Sequence, residues 1–491
     1  MGRGTLSGVL ALACGVLATA VTTPVVLRAL GASRFGLWVA LVATVSLTGL
    51  FDFGFNQAVA RFTGEHRARR DAEAVQAYIT ATGAAYLVAF ALVLLTTVAI
   101  GIAFPFFIKV PAADRSPILP AALLVGLATA LGLWISFFGS ILHAHQRLPV
   151  ANLVRAGYWL SFTVLTIVAA LAGWGLPGLG AAMALSSTLA CSVFLVLVGR
   201  TLPWLRIRRP QRSILRKALS YSVFMFLVSA GAAVVFETDT LVIAAFRGAA
   251  AVTAYAIALR LTRGLTLFLH KVPDVLFPFY AGMRASGERA RIRENFLFTA
   301  RLELAGGVAT ILALSFAGRP LIAAWVGPTN VASVSVFGLA IALVLMEVVI
   351  HPAAVLAAAA GGERRMAVFN NVEAILNLGL SIVLVIRYGV VGVIAGTVIA
   401  QMFTNLWFLP HWAMRRLELS LIDYLKATAG RSLLPAAGGL VAGLVLLPVR
   451  LPFLAAAASV LVFTLVYLRT GAGTEERRWV QGWLARERRV A

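Results

Sequence analysis

LSYSVFMFLVSAGAAVVFETDTLVIAAF, residues 219–246, and AAVTAYAIALRLTRGLTLFLHKVPDVLFPFY, residues 250–280, are long apolar segments interrupted by charges that a lipid bilayer resists. Each is long enough to cross a hydrocarbon core of about 30 Å as a helix. The first carries Glu237 and Asp239; the second carries Arg260, Arg263, Lys271 and Asp274. One such charge at mid-bilayer costs roughly 2.5–3.5 kcal/mol, so intramembrane charges face a partner or a wet cavity. At about 100° per residue, Arg263, Lys271 and Asp274 fall with Arg260 on an arc of about 80°, which makes one helix face polar. With the connecting turn near residues 247–250, Glu237 and Arg260 each lie about 15 Å from it and can meet at one depth. Glu237 and Asp239 are about 200° apart and cannot both face that partner. Two readings stay open: structural ion pairs between packed helices, or a cation-lined cavity that handles an anionic substrate.

Composition excludes a soluble protein. The 491 residues are 60% hydrophobic and only 12% charged, which is the profile of a polytopic membrane chain. A net charge of +23 would suit nucleic acid if it lay on a soluble basic surface. Here the bases concentrate in alternate connections between apolar runs, so no nucleic-acid partner is expected. Runs of about 20 or more apolar residues predict about 14 transmembrane helices, near 6–30, 35–60, 77–103, 118–142, 152–173, 177–199, 218–246, 250–280, 296–317, 332–358, 367–387, 390–412, 432–449 and 451–469. Several are long enough to need tilt or kinks, for which Pro24, Pro273, Pro278 and Pro352 are candidates. Most of the 42 Lys and Arg side chains fall on the side of both termini, which predicts cytoplasmic termini and an even number of spans. The first run is too long for a signal peptide and is read as an uncleaved helix. Cys14 and Cys191 lie in different apolar segments and read as small core residues.

The basic stretch around residues 201–217 divides the chain. Residues 1–200 form an N-terminal six-helix lobe, 201–217 a basic cytoplasmic linker, 218–412 a C-terminal six-helix lobe, 413–469 helices 13 and 14, and 470–491 a basic cytoplasmic tail. Trp204, Leu205 and Ile207 in the linker, and Trp479 and Trp483 in the tail, suit inner-leaflet headgroups. A weak repeat supports the division: Gly31, Phe35 and Trp38 correspond to Gly248, Val252 and Tyr255 at a constant offset in the two lobes. Same-direction repeats are one way to build a transporter.

Further polar residues interrupt the spans. Asp52 and Asn56 are four apart and are expected to share a helix face, with Gly49 and Gly54 easing a bend; Asp52 otherwise bonds its own helix or pairs with Arg61. Glu347 and His351 stand at i, i+4, as do Gln401 and Asn405, while Asn370, Glu373 and Asn377 share an arc of about 60°. Interhelical hydrogen bonding is the first reading for the amides, with sugar contact as the alternative. His351 is read as structural, with a proton site as its alternative. His143 and His145 are two apart and do not share a face, and no metal-ligand cluster is visible in the chain.

PVVLRALGASRFGLW, LFDFGFNQAVARF, ETDTLVIAAFRGAAAVTAYAIALRL and LIAAWVG resemble the oligosaccharide flippases of bacterial polysaccharide biosynthesis, within the multidrug, oligosaccharidyl-lipid and polysaccharide exporter superfamily. The resemblance covers essentially the whole length. It implies an all-α fold of two pseudo-symmetric six-helix lobes around a central cavity, with two additional helices. It further implies flipping of an undecaprenyl-pyrophosphate-linked oligosaccharide from the inner to the outer leaflet of the bacterial inner membrane, for O-antigen, capsule or exopolysaccharide synthesis, by a monomer that meets other polysaccharide-assembly membrane proteins. By this analogy Arg28, Arg260, Arg263 and Lys271 are the candidates for the pyrophosphate, a group that bidentate guanidinium and compact ammonium donors suit. Coupling to H+ or Na+ would use an intramembrane acid, and Asp52, Glu237, Asp239 and Asp274 are the candidates. No other cofactor is expected. A lipid II flippase and a multidrug antiporter are the rivals within transport. A membrane polymerase or ligase is the rival among enzymes, disfavoured because every outer connection is short and no catalytic motif appears.

Overall fold

The computed structural model describes residues 3–206, 208–277, 280 and 289–473. Pro278, Ile207, Trp479 and Trp483 lie outside the described residues. Among those described the chain is helical with no strand. Backbone polar groups have no water to bond in hydrocarbon, so apolar runs of this length close their hydrogen bonds within helices. The principal helices are α1 (Arg3–Ser46), α2 (Phe55–Ala68), α3 (Ala72–Phe107), α4 (Ile118–Ala144), α5 (Leu148–Leu171), α6 (Gly175–Thr201), α7 (Arg212–Arg247), α8 (Ala249–Asp274), α9 (Arg289–Ala313), α10 (Val334–Ala359), α11 (Glu363–Phe403), α12 (Asn405–Arg416), α13 (Ala429–Leu446) and α14 (Pro452–Val466).

Twelve stretches among the described residues are long and apolar enough to cross a membrane, where the sequence predicts about 14 helices. The difference arises in two stretches, Leu6–Ala68 of 63 residues and Glu363–Arg416 of 54 residues. At 1.5 Å per residue each is far longer than one bilayer thickness. Each contains a glycine whose backbone leaves the helical region: Gly31 at φ 74, ψ 165 and Gly389 at φ 62, ψ −138. The breaks therefore fall at glycines able to adopt positive φ, within the connections that the sequence places between 6–30 and 35–60 and between 367–387 and 390–412. Gly248, between α7 and α8, takes φ 85, ψ 164, nearly the conformation of Gly31. Their followers Phe35, Trp38, Val252 and Tyr255 are all buried, so the repeat read in the sequence marks one turn used twice.

The helices divide into two compact units, Met1–Ala256 with Asn370–Thr397, and Ile257–Phe369 with Val398–Ala491. In the first, α4 packs on α6 and α3, and α5 on α1 and α6. Its aromatic core includes Tyr86, Phe137 and Phe194, none more than 3% exposed. The linker joins this unit: Leu205, Ile214 and Leu215 pack against that core, and the backbone N–H of Arg206 donates to Gln76 Oε1. In the second unit α9 packs on α10 and α14, α13 on α14, and α10 on α12.

Candidate cation pocket and intramembrane charges

Asp239 sits in α7 with 2% of its surface exposed, inside the first unit. A buried carboxylate needs donors or a counter-ion, and side chains of α8 and α11 supply donors. Tyr255 Oη donates to Asp239 Oδ2 at 3.1 Å, Thr397 Oγ1 to Oδ2 at 2.6 Å, and Ser381 Oγ to Oδ1 at 3.1 Å. Ser381 and Thr397 also reach the carbonyl oxygen of Val393, at 3.2 and 3.3 Å, so either hydroxyl proton can turn away from the carboxylate. Asn377 Nδ2 donates to Thr397 Oγ1 at 2.8 Å, while Asn377 Oδ1, fully buried, accepts nothing. Carboxylate, hydroxyl and carbonyl oxygens thus converge. Oxygen donors of this kind suit a hard cation. The Gly389 break makes the group possible: it folds the chain back so that Asn377 and Ser381, before it, lie beside Thr397, after it.

Glu237, two residues earlier in α7, is partly buried. On α8, Arg260 and Arg263 are partly buried in the second unit and Lys271 Nζ donates to Asp274 Oδ2 at 2.7 Å. The acid of this face is therefore engaged by the nearest base one helical turn away. Arg28, in α1, is exposed.

The expected shared face of Asp52 and Asn56 does not form. Leu47–Asp52 is a 3-10 turn, and Phe53 and Gly54 take left-handed conformations at φ 47 and φ 72, so the helix ends and restarts between the two residues. Gly54 supplies the bend as expected, and Tyr86 Oη donates to Asp52 Oδ1, a partner that the sequence does not suggest. Asp52 also accepts from the backbone of Gly54 and Asn56, at the restart of α2. Glu347 is likewise not the partner of His351. It accepts from Gln401 Nε2 at 3.1 Å, while His351 faces Glu303 and Asp274. Asn370 and Asn371 donate to the carbonyls of Val228 and Leu227, the packing role read for such amides.

The sequence reading passed over Ser381 and Thr397, because hydroxyls are common in spans and ordinarily bond their own helix. It also passed over Arg155, which lines a cavity of about 340 Å³ in the first unit with Thr129, Tyr158, Trp159 and Ser187. A signal existed in the last case: an Arg one turn before a Tyr-Trp pair within an apolar segment.

Known structures share this fold. Lipid II flippase MurJ in an inward closed conformation superposes at TM-score 0.67 and 12% identity, over 95% of this chain and 98% of that one. An inward-facing multidrug resistance MATE family transporter of the MOP superfamily gives 0.64 and 16%, over 84% and 94%. A Vibrio cholerae MATE transporter gives 0.60 and 15%, over 84% and 97%. A comparison with curated proteins returns no match. The fold is the one these proteins share, built among the described residues from 12 stretches long and apolar enough to cross a membrane, and it defines a multi-pass membrane protein. Within that class, the family model described as polysaccharide biosynthesis protein matches residues 1–283, and the chain belongs to that family.

Proposed function

We propose that the protein flips an undecaprenyl-pyrophosphate-linked oligosaccharide repeat unit from the cytoplasmic to the outer leaflet of a bacterial inner membrane, with both termini cytoplasmic. The observation that carries the reading is the basic face of α8, placed within an apolar span of a polysaccharide biosynthesis protein. The face carries three bases, Arg260, Arg263 and Lys271, against one acid, Asp274, which Lys271 engages. Two guanidinium groups suit the doubly charged pyrophosphate and disfavour the cationic drugs of a multidrug antiporter. Arg28 in the first unit is the further headgroup candidate.

Among Asp52, Glu237, Asp239 and Asp274, Asp239 is the one best equipped for ion coupling. The hydroxyl oxygens of Ser381 and Thr397 at its carboxylate, with the Val393 carbonyl beside them, favour Na+, with H+ as the rival ion. Binding there stabilises one arrangement of α7, α8 and α11, and a cation can drive transport only as far as it prefers one conformation over another. The protein is then a transporter with no covalent chemistry of its own, and the polymer, whether O-antigen, capsule or exopolysaccharide, is set by the sugar that the host makes.

The test is the leaflet distribution of polyprenyl-linked oligosaccharides in the host with and without the gene. A complete, unpolymerised unit accumulating on the cytoplasmic face supports the reading and reveals the sugar by mass spectrometry. Unchanged lipid-linked sugars reject it, and lipid II and cationic drugs become the substrates to test. Arg260→Glu at normal expression is expected to abolish complementation; near-normal transport returns Arg260 to a packing role.

A further inference from the structure

A second polar group lies within the second unit, where three helices meet. Glu303 in α9 has no exposed side-chain surface. Its Oε1 stands 3.4 Å from His351 Nδ1 of α10 and 3.7 Å from His270 Nε2 of α8. These separations exceed the usual 2.7–3.2 Å range of hydrogen bonds between nitrogen and oxygen. Correspondingly, both Glu303 oxygens, His270 Nε2 and His351 Nδ1 are buried without a hydrogen-bond partner. A buried carboxylate in this state costs several kcal/mol unless something else neutralises it.

We propose that His270, Glu303 and His351 form a binding site for a divalent first-row transition metal such as Zn2+. The three ligand atoms lie within 4.8 Å of one another, and each comes from a different helix. With metal–ligand bonds of about 2.0–2.1 Å, neighbouring ligands of a tetrahedral ion stand about 3.3 Å apart, close to the observed separations from Glu303. Two imidazoles and one carboxylate suit zinc or cobalt better than calcium or magnesium, which take oxygen ligands. The surroundings match as well. Asp274 Oδ1 lies 3.5 Å from His351 Nε2, where a carboxylate orients a metal-bound imidazole by taking its other N–H. Lys271 balances Asp274, and Glu347 lies within electrostatic reach of Glu303, so a dication is balanced by two carboxylates.

One rearrangement is required. The two imidazole rings are stacked, 3.8 Å apart and 7° from parallel, so a single ion cannot lie in both ring planes. Binding turns one ring about its Cβ–Cγ bond, a broad torsion that costs little. His270 and His351 keep 14% and 20% of their side-chain surface exposed, which leaves a route for the ion. The bound ion ties α8, α9 and α10 together, three helices that otherwise meet at unsatisfied polar atoms. This site is independent of the flippase reading, because metal binding is measured on the purified protein without substrate.

The full-length protein, freed of any purification tag and dialysed against chelator, is titrated with Zn2+ and with Co2+ alone. One equivalent is expected to bind, with X-ray absorption showing two imidazole nitrogens at about 2.0–2.1 Å. Glu303→Gln and His351→Asn, each confirmed as folded by its elution profile and thermal transition, are expected to weaken binding at least tenfold. His143→Ala, at a site remote in sequence, is expected to bind as the unaltered protein does. Absence of stoichiometric binding, an all-oxygen coordination shell, or unchanged affinity in Glu303→Gln and His351→Asn overturns the proposal.

Discussion

Replacing Asp239 by Asn keeps the shape of the side chain and removes its charge, which separates cation binding from packing. Without a cation the loss is modest: Ser381 and Thr397 can each turn their hydroxyl proton to Val393 O, while the hydrogen bond from Tyr255 to the charged acceptor is worth about 1.5–3 kcal/mol. Removal of a buried charge offsets that loss. With a cation the loss is large, since truncating one partner of a buried charge pair costs about 2–5 kcal/mol, at least roughly 30-fold in affinity. At a Na+ concentration about 100 times the dissociation constant, the unaltered protein gains about 2.7 kcal/mol from binding. A 30-fold weaker site gains under about 1 kcal/mol at that concentration. The assay is thermal unfolding of the detergent-purified protein in NaCl against choline chloride at equal ionic strength. The unaltered protein is expected to melt a few degrees higher in Na+, and Asp239→Asn to melt at nearly the same temperature in both. Equal melting of the unaltered protein in the two salts refutes a Na+ pocket, and equal destabilisation by Asp239→Asn in both salts makes the residue purely structural.

Three further outcomes are expected. A Cβ on Gly36 would stand 1.8 Å from the carbonyl oxygen of Ala249, so Gly36→Ala forces α1 away from the start of α8, a cost of about 1–3 kcal/mol to be read as a lowered melting temperature. Gly248→Ala places a side chain at φ 85, ψ 164, a region nearly reserved for glycine, and is expected to destabilise by about 1–3 kcal/mol although no neighbouring atom obstructs the added methyl. At the end of α4, burial and then the charges of Arg67 and Arg147 hold His145 below its ordinary pKa, against the hydrogen bond to Ile141 O. The unfolded chain then binds the proton more readily, so stability falls as pH drops below about 6.5 and levels off below the folded value; His145→Gln is expected to flatten that dependence in pH-resolved melting.

The fold class was legible because hydrocarbon leaves a long apolar run few choices: it crosses as a helix and hides its charges. Even the repeated turn could be read, since Gly31 and Gly248 precede matching large residues at one offset and both take the same glycine-only conformation. Helix ends were less legible. The break between Asp52 and Asn56 depends on Phe53 accepting a left-handed conformation, against its own steric preference, beside Gly54.

The sequence by itself determined a multi-pass helical membrane protein, the basic face of α8, and the separation of Glu237 from Asp239, because each follows from hydrophobic length and helical angle alone. Tertiary structure decided which acids acquire which neighbours. Asp239 meets Ser381 and Thr397 through a fold-back at Gly389, and Glu303 meets two histidines from two other helices. Those encounters join residues far apart in the chain, and their chemistry is set by distances of a few ångströms that only the packing of helices fixes.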